Sequence, residues 1–318
     1  MPPAGSIVIV TYNSAPHIVS CLRSLRQPGW ERIVVDNGSR DESVERARAV
    51  PDTLVLANPE NRGFAAAAQQ GVRAARGELL LFLNPDVTAE PGALAALQVA
   101  VEPAGRAAAG GRLLNPDGTT QVGFVVRRLP TLLSVLAEVL LLTRLFPGNP
   151  WNRGYRCLDL DYDQAAEVEQ PAGACLLVKR GAWEELGGFD EEFFPLWFED
   201  VDFCRRLRAR GGTIVYEPRA RFHHLGAHSV ATLEASEQLL YWYRNLLRYF
   251  RKHHSPLAGG VLRTGILLGM LLRMLATTLG ARPPRGGGRA SIRAYAQVIR
   301  CCVFGGVPYR AVRGGALE

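Results

Sequence analysis

Short apolar runs alternate with stretches of helical pattern through about the first 90 residues. Four runs rich in branched or leucine side chains predict strands, at residues 6–11, 33–35, 53–56 and 78–83. Helical patterns lie between them, ending at Leu25 and then covering residues 42–49 and 64–75. Unbroken apolar strands that alternate with helices are typical of parallel strands covered on both faces. Right-handed crossovers make such a chain a doubly wound α/β sheet.

Polar side chains collect where each of these strands ends. The four clusters are Thr11-Tyr12-Asn13, Asp36-Asn37, Asn58 to Gly63, and Asn84-Pro85-Asp86. In open α/β sheets, ligands bind outside the carboxyl ends of the strands. The topology therefore predicts that all four clusters lie on one edge of one sheet and form a site there.

Several common binding signatures are absent from the sequence. Its composition is that of an ordinary globular protein, with 47% hydrophobic and 21% charged residues. No Gly-x-Gly-x-x-Gly follows the first strand and no Gly-Lys-Ser/Thr loop occurs, which argues against dinucleotide oxidoreductases and P-loop enzymes. The six cysteines include no Cys-x-x-Cys pair, so we expect neither a zinc site nor a disulfide scaffold, and a reducing cytosol suits the chain. Because strand-like Ile7 begins almost at once, we also expect no cleavable signal peptide.

Charge is divided unevenly along the chain. Residues 1–217 carry 22 basic and 27 acidic side chains, whereas residues 218–318 carry 15 basic and three acidic ones. The basic C-terminal third indicates an anionic partner, either a membrane surface or nucleic acid, or else a solvated tail. Its last arginines come with no acid before Glu318: Arg282, Arg285, Arg289, Arg293, Arg300, Arg310 and Arg313.

Two apolar stretches, at residues 129–146 and 257–280, each contain charged residues that would cost about 2.5–3.5 kcal/mol apiece at a bilayer centre. We therefore expect neither to span a membrane. In the second stretch, Arg263 and Arg273 lie within about 80° of each other on a helical wheel, away from most of the leucines. This pattern fits a helix in the membrane interface and fits equally well a helix buried against the domain.

Two aspartates that follow strands carry candidate chemistry. Asp36 could accept a hydrogen bond from the imide N–H of uracil or thymine, although an Asp before Asn-Gly is also an ordinary turn or helix cap. Asp86 could bind Mg²⁺ or Mn²⁺ together with the phosphate oxygens of a nucleotide, although it too could cap a helix.

A denser cluster of acids lies at residues 187–206, where an aromatic and acidic segment leads into a helical pattern. From Trp197 onward the apolar residues recur at helical spacing, and Glu199, Asp200 and Asp202 lie off that stripe. The helix macrodipole favours acids in a first turn, but it does not explain the acid-dense, aromatic composition of residues 189–198.

Taken in order, these motifs resemble those of the inverting glycosyltransferases of family 2, particularly the rhamnosyltransferase-like branch. The motifs are Val10–Asn13, Val35–Ser39, Asn58–Phe64, Leu83–Asp86, Gly187–Glu191 and Glu199–Asp202. The resemblance covers about residues 5–230. It implies a nucleotide-diphosphosugar transferase fold of the A type over residues 1–230, with a mostly parallel central sheet and helices on both faces. A helical, apolar and arginine-rich segment that associates with membranes would follow over residues 231–318.

The resemblance also implies roles for individual residues. Asp36 would bind the pyrimidine, and Asp86, the last residue of an Asp-x-Asp-like motif that begins here with Asn84, would hold Mg²⁺ or Mn²⁺ on the diphosphate. Asp200 matches the catalytic base. The other implied residues are Thr11, Tyr12, Asn13, Arg62, Gly63 and Asn84 for the nucleotide-sugar, His223 or His224 near the metal, and Glu199 and Trp197 on the acceptor side.

The implied activity is transfer of a sugar, with rhamnose the expected one, from a dTDP- or UDP-sugar to a hydroxyl of a saccharide acceptor. We expect that acceptor to be linked to polyprenyl diphosphate and the reaction to serve cell-surface polysaccharide synthesis at the cytoplasmic face of the membrane. A non-catalytic nucleotide-sugar or glycan-lipid binding module with the same fold is the alternative. No recognisable nucleic-acid motif accompanies the basic residues, so nucleic acid is not an expected partner.

Overall fold

Residues 3–226, 233–281 and 287–304 are described by this computed structural model. The chain divides into two units, one of Met1–Pro130 with Arg153–Thr232 and one of Thr131–Asn152 with Leu233–Glu318. We predicted a boundary at residue 230 and assigned everything before it to the catalytic domain. The second unit also includes residues 131–152, whose helix Leu132–Val139 packs with the helix Pro256–Thr278. The domain boundary itself stays a prediction.

Eleven strands occur within the described residues. They are β1 (Gly5–Thr11), β2 (Trp30–Asp36), β3 (Thr53–Ala57), β4 (Leu79–Leu83), β5 (Val87–Ala89), β6 (Arg106–Leu114), β7 (Val126–Arg127), β8 (Ala166–Glu167), β9 (Gln170–Pro171), β10 (Cys175–Lys179) and β11 (Thr213–His224).

The helices of the described residues lie between and after these strands along the chain. They are α1 (Ile18–Ser24), α2 (Ser43–Arg48), α3 (Phe64–Ala74), α4 (Ala93–Val101), α5 (Leu132–Val139), α6 (Leu142–Leu145), α7 (Pro150–Tyr155), α8 (Arg180–Leu186), α9 (Glu199–Ala209), α10 (Ala235–His253), α11 (Pro256–Thr278) and α12 (Gly288–Phe304).

The main sheet of the first unit has the strand order β3-β2-β1-β4-β10-β6-β11-β5, with β8 paired to β11. Strands β1 to β4 are mutually parallel, and β6 and β11 are parallel to each other. Strand β10 runs antiparallel between β4 and β6, and β7 and β9 form a separate two-stranded sheet. The predicted mostly parallel α/β sheet is confirmed.

The register of the parallel strands decides where their polar ends meet. Thr11 at the end of β1 pairs with Asp36, which in turn pairs with Ala57 at the end of β3. Ile9 of β1 pairs with Leu83, the last residue of β4. The four polar clusters therefore follow directly on neighbouring strand ends, as predicted. We call this side of the sheet the carboxyl edge.

An aromatic cluster in the core connects the sheet to α9, the helix that begins with the acidic motif. Phe82 of β4 contacts Trp183 and Phe189, with ring centroids 4.6 and 5.0 Å apart. Phe189 meets Phe203 of α9 edge-on at 5.5 Å, and Phe203 is fully buried. Burial of these rings, worth roughly 1.5–3 kcal/mol each, fixes the start of α9 relative to β4.

In the second unit, α11 packs closely on α5 through two glycines. A side chain at Gly265 would collide with Leu136, and one at Gly269 would collide with the carbonyl of Val139. Arg273 donates hydrogen bonds to the carbonyl oxygens of Val139 and Glu138 at the end of α5. It thereby adds side-chain donors to carbonyls in the last turn of α5.

The other side of α11 is exposed and apolar. Its exposed side chains, with one from the residue after the helix, are Leu257, Val261, Leu268, Leu271, Leu272, Leu275 and Leu279. Within the described ranges, α11 alone has the length, 23 residues, and the apolarity of a membrane span. The helix thus has one packed and one exposed face. Arg263 is exposed as the interfacial prediction requires, whereas Arg273 bonds within the protein.

Candidate active site

The turn after β2 is folded around the carboxylate of Asp36. Its Oδ1 accepts hydrogen bonds from the hydroxyls of Thr11, at 3.0 Å, and Ser39, at 2.5 Å. Its Oδ2 accepts from the backbone N–H groups of Gly38, at 3.2 Å, and Ser39, at 2.9 Å. Because the side chain is buried and both oxygens are occupied, the predicted contact with a pyrimidine imide would require one of these bonds to open.

Asn13 connects the end of β1 to this turn. Its backbone N–H donates to the hydroxyl of Ser39, and its side-chain oxygen accepts from the backbone N–H of Arg40, both at 2.8 Å. Its φ of +51° lies in the left-handed region, where asparagine is tolerated better than most residues. Tyr12, beside it, is partly exposed. The structure thus brings the β1 cluster and Asp36 together at the carboxyl edge.

The loop after β3 is joined to the same region. The backbone N–H of Arg62 donates to the side-chain oxygen of Asn37 at 3.0 Å, and the Arg62 side chain is exposed. Gly63 has a φ of +84°, and a Cβ there would lie 2.6 Å from the ring of Phe194. Only glycine fits this position, which holds the loop against the segment that leads into α9.

His224, the last residue of β11, lies beside Asp86. Strand β5, which follows Asp86 directly, pairs antiparallel with β11 and aligns Val87 with His224. The Nε2 atom of His224 is 3.6 Å from Oδ1 of Asp86, and both side chains are almost fully buried. The imidazole stacks on Phe124 with centroids 5.4 Å apart, and its Nδ1 bonds Oε1 of Gln121 at 2.9 Å.

This pair has the chemistry of a divalent-cation site. Nε2 of His224 is buried without a hydrogen-bond partner among the described residues, and burial lowers the pKa of the ring against the opposing charge of Asp86. A neutral imidazole nitrogen next to a carboxylate oxygen suits a metal such as Mn²⁺, and Gln121 would orient the ring. Within the described ranges no three His, Cys, Asp or Glu side chains are grouped for metal binding. The remaining ligands would therefore come from substrate and water.

His223 points away from this pair. Its Nε2 lies 3.0 Å from Oε1 of Glu90, whose other oxygen is 2.8 Å from Nε of Arg221. Neighbouring residues of a strand face opposite sides of a sheet, so only one of the two histidines can reach Asp86. That residue is His224.

Asp200, in the first turn of α9, is held by three donors. Its Oδ2 accepts from the backbone N–H of Gly173 at 3.0 Å and from Nε2 of Gln170 at 3.4 Å. Its Oδ1 accepts from the backbone N–H of Val201 at 2.8 Å. Burial raises the pKa of this carboxyl above its usual value, opposed by the backbone donors and by the charge of Arg127. A carboxylate with a raised pKa that is still partly exposed can accept a proton from a substrate.

Glu199 and Trp197 lie next to Asp200 in the chain. The Glu199 side chain is buried, and its Oε2 has no hydrogen-bond partner among the described residues. Burial, and then the charge of Asp200, raise its pKa well above the usual range, so Glu199 keeps its proton more readily than Asp200 does. Trp197 and Phe198 both have a φ of +74°, a conformation that costs about 1–3 kcal/mol per residue. This turn directs the chain into α9.

A short hydrogen-bonded path connects Asp200 to the metal-site candidate. Gly173, which donates to Asp200, is followed by Ala174, whose carbonyl accepts from the backbone N–H of Asn84 at 3.1 Å. Asn84 opens the turn that contains Asp86, and Cys175 of β10 pairs with Leu83 of β4. The carboxyl groups of Asp36, Asp86 and Asp200, far apart in the sequence, are therefore all at the carboxyl edge.

Five residues of this site were not predicted from the sequence. They are Gln121, Phe124, Arg127, Gln170 and Gly173. They lie in turns and in two-residue strands, where neither a strand period nor a helix period marks them. No signal in the single sequence distinguishes them.

The fold defines a class of protein. A mannosyltransferase from Pyrobaculum calidifontis, solved with GDP-Man and Mn²⁺, aligns with a TM-score of 0.55 at 17% identity, over 95% of this chain and 87% of its own. S. aureus TarS 1–349 aligns with a TM-score of 0.50 at 18% identity, over 97% and 93%. Both are glycosyltransferases of the A type. The predicted A-type fold is confirmed.

Sequence comparisons identify the family. The family model "Glycosyl transferase family 2" matches residues 6–157. An N-acetylglucosaminyl-diphospho-decaprenol L-rhamnosyltransferase from Mycobacterium tuberculosis is 34% identical over 248 residues, covering 72% of this chain and 78% of that protein. The pre-mycofactocin glycosyltransferase of the same species is 27% identical over 313 residues, covering 94% and 60%. The chain belongs to glycosyltransferase family 2, in its rhamnosyltransferase-like branch, and is a glycosyltransferase.

Proposed function

We propose that this enzyme inverts the anomeric centre while it moves a sugar, rhamnose first among the candidates, from a dTDP- or UDP-sugar to a hydroxyl of a saccharide linked to polyprenyl diphosphate. The observation that carries this proposal is the shared location of Asp200 and the Asp86–His224 pair at the carboxyl edge. An inverting transfer needs a base on one side of the sugar and a site for the departing diphosphate on the other. The decaprenol-linked rhamnosyltransferase relative supports the choice of donor and acceptor.

The nucleotide would occupy the edge formed by the ends of β1, β2 and β3. Thr11, Tyr12 and Asn13 would line its pocket, with Arg62 and Gly63 against the nucleotide-sugar and Asn84 close to the sugar. We propose that Asp36 acts first by holding the turn of Gly38 and Ser39 in shape, since four hydrogen bonds already use its oxygens. A direct contact with the pyrimidine would exchange one of those bonds for the imide N–H.

Asp86 and His224 would hold a divalent cation, Mg²⁺ or Mn²⁺, whose chemistry when bound is to neutralise charge on the diphosphate. The buried, unpartnered Nε2 of His224 supports this assignment. Asn84 contributes no charge in the position of the first acid, so the protein supplies one carboxylate rather than two.

Asp200 would act as the general base. The acceptor oxygen bonds to the anomeric carbon, its proton passes to the Asp200 carboxylate, and the bond from that carbon to the phosphate oxygen breaks with its electron pair on the diphosphate. The N–H groups of Gly173 and Val201 orient the carboxylate and keep it ionised. Glu199, protonated more readily, would carry no competing charge beside it, and Trp197 would lie on the acceptor side.

Transfer assays with a panel of activated sugars test this proposal. The full chain with Mn²⁺ is incubated with a synthetic polyprenyl-diphosphate saccharide and dTDP-rhamnose, UDP-sugars or GDP-mannose, and the released nucleotide is measured. We expect release with one pyrimidine-nucleotide sugar and a product of inverted anomeric configuration by NMR. Retained configuration, or turnover only with GDP-mannose, would contradict the proposal.

We also propose that the exposed face of α11 contacts the membrane in which such an acceptor resides, at its cytoplasmic face. Leu268, Leu271 and Leu275 are between 49% and 57% exposed on this face. Three exposed arginines of α12, Arg289, Arg293 and Arg300, add positive charge without any acid in the helix. Exposed leucines and exposed arginines without acids are the residue types that suit an anionic lipid surface. The predicted basic residues Arg282, Arg285, Arg310 and Arg313 lie outside the described residues.

Co-sedimentation with phosphatidylglycerol vesicles tests the membrane contact. The double variant Leu271→Gln/Leu275→Gln should partition several-fold less than the wild type, whereas Leu54→Gln, at a leucine 47% exposed on β3, should not differ. Equal partitioning of all three proteins would discard the membrane role of this face.

A further inference from the structure

Arg127, in the two-residue strand β7, is a partly buried cation held in a fixed orientation. Its Nε–H donates to the carbonyl oxygen of Gly123 at 3.0 Å. Its guanidinium carbon lies 5.8 Å from the ring centroid of Phe124 and 5.7 Å from that of Tyr155. These contacts restrict the side chain without neutralising it, because a carbonyl and two aromatic rings carry no net charge.

No carboxylate pairs with Arg127 in the described part of the chain. Its chain neighbour Arg128, in contrast, forms an ion pair with Asp159 at 3.1 Å. The two terminal nitrogens of Arg127, each with N–H donors, form no hydrogen bond or ion pair with any of the described residues. A guanidinium fixed through Nε presents those donors as a planar fork, the geometry that binds phosphate oxygens in pairs.

Arg127 also lies between the two halves of the candidate active site. On one side, Phe124 stacks on His224, the residue beside Asp86. On the other side, Arg127 pairs with Gln170 across the β7–β9 ladder, and the Gln170 side chain donates to Asp200. The charge of Arg127 reaches Asp200, since it lowers the pKa that burial raises there.

We propose that Arg127 is a catalytic residue that binds the diphosphate of the nucleotide-sugar and stabilises the negative charge that grows on it as the sugar departs. This inference rests on the proposed sugar transfer. In that step the acceptor oxygen bonds to the anomeric carbon and its proton goes to Asp200. The carbon–oxygen bond to the diphosphate breaks, and its electron pair stays on the phosphate oxygen that faces Arg127.

The donor diphosphate fits Arg127 better than an acceptor diphosphate does. Phe124 contacts both Arg127 and His224, so an anion bound at the Asp86–His224 pair would lie on the same side of the site as the guanidinium. An acceptor diphosphate is one sugar removed from the attacking hydroxyl and would lie beyond Asp200. A cation near the leaving oxygen acts where charge increases most, and loss of one such donor typically costs a factor of 10²–10³ in kcat.

The test compares Arg127→Gln with Arg127→Lys and with the matched control Arg128→Gln, which removes an exposed, ion-paired arginine from the adjacent position. Binding of dTDP, UDP and the corresponding free nucleosides is measured by calorimetry without acceptor. We expect Arg127→Gln to weaken nucleoside diphosphate binding about tenfold or more and to lower kcat about a hundredfold. Arg127→Lys should recover part of both, and Arg128→Gln should match the wild type.

Nucleoside binding serves as the control for folding, because it should be equal in all four proteins. Unchanged diphosphate affinity in Arg127→Gln would overturn the inference, and so would a change confined to the KM of the acceptor. The binding measurement decides the role of Arg127 even when no sugar in the panel is transferred. Failure of the proposed transfer and failure of this inference are therefore separate outcomes.

Discussion

The carboxylate of Asp200 rests on the backbone of Gly173, whose N–H donates to Oδ2 at 3.0 Å. A Cβ at position 173 would lie only 2.9 Å from that oxygen. We predict that Gly173→Ala displaces the carboxylate and lowers kcat at least tenfold, while nucleotide binding stays near the wild-type value. Gly181→Ala, at a glycine with open space around it, is the control and should leave kcat unchanged. Full activity in Gly173→Ala would show that catalysis does not depend on this contact.

Asp200→Asn should abolish transfer and leave nucleotide-sugar affinity close to normal, because the amide keeps the shape of the side chain but cannot accept the proton. Single-turnover assays and calorimetry measure the two quantities. Survival of transfer in this variant would show that another group is the base.

The pH dependence of the wild type should follow the same carboxyl. The base must be ionised, and burial raises the pKa of Asp200 above its ordinary 3.8. We therefore expect kcat/KM to fall as the pH is lowered through that raised pKa, with a slope of one on the acid side. A profile that stays flat down to pH values near 4 would contradict the raised pKa.

His224→Ala and His223→Ala form a matched pair on adjacent positions of β11. Loss of His224 should weaken Mn²⁺-dependent UDP or dTDP binding by at least tenfold, since it removes one of the two proposed protein ligands. His223→Ala removes only a partly exposed contact with Glu90 and should bind normally. Calorimetric titration of nucleotide with and without Mn²⁺ measures both. The reverse order of effects would assign the metal to the other face of β11.

Glu199→Gln should make the protein more stable at high pH. The folded-state pKa of Glu199 lies well above 4.5, so folding takes up a proton between pH 4.5 and that higher value. In this window the free energy of unfolding falls by about 1.4 kcal/mol per pH unit, and glutamine avoids the loss.

Urea unfolding at a series of pH values measures this difference. The stability gain of Glu199→Gln should vanish near pH 4.5 and increase as the pH rises. Glu185→Gln, at an exposed carboxylate, is the control and should show no such trend. A gain independent of pH would mean that Glu199 is ionised in the folded protein.

The sequence predicted the part of the fold in which short apolar strands alternate regularly with helices. Strands β1 to β4 are unbroken apolar runs followed by polar turns, so their parallel pairing and the location of their polar ends at one edge of the sheet could be inferred. The antiparallel β10 could not, because Cys175–Lys179 has the same apolar character as a parallel strand. Its direction is set by long-range pairing with β4 and β6.

Only those residues of the candidate site that belong to recognisable sequence motifs were predicted. Which histidine meets Asp86 depends on which face of the sheet each side chain occupies, and the sequence of a single strand does not reveal which face lies on the side of Asp86. Gln121 and Arg127 belong to short irregular segments whose positions follow from tertiary contacts. The hydrogen bonds that occupy both oxygens of Asp36 could not be predicted either, since the same Asp-Asn-Gly sequence can form a turn or a binding site.

The close approach of Gly269 of α11 to the Val139 carbonyl of α5 has a consequence for the proposed membrane contact. Backbone in direct contact with backbone leaves the helix no freedom to roll about its axis. The exposed apolar face of α11 is consequently held in a fixed direction relative to α5. If that face contacts lipid as proposed, α11 would not need to turn about its axis to do so.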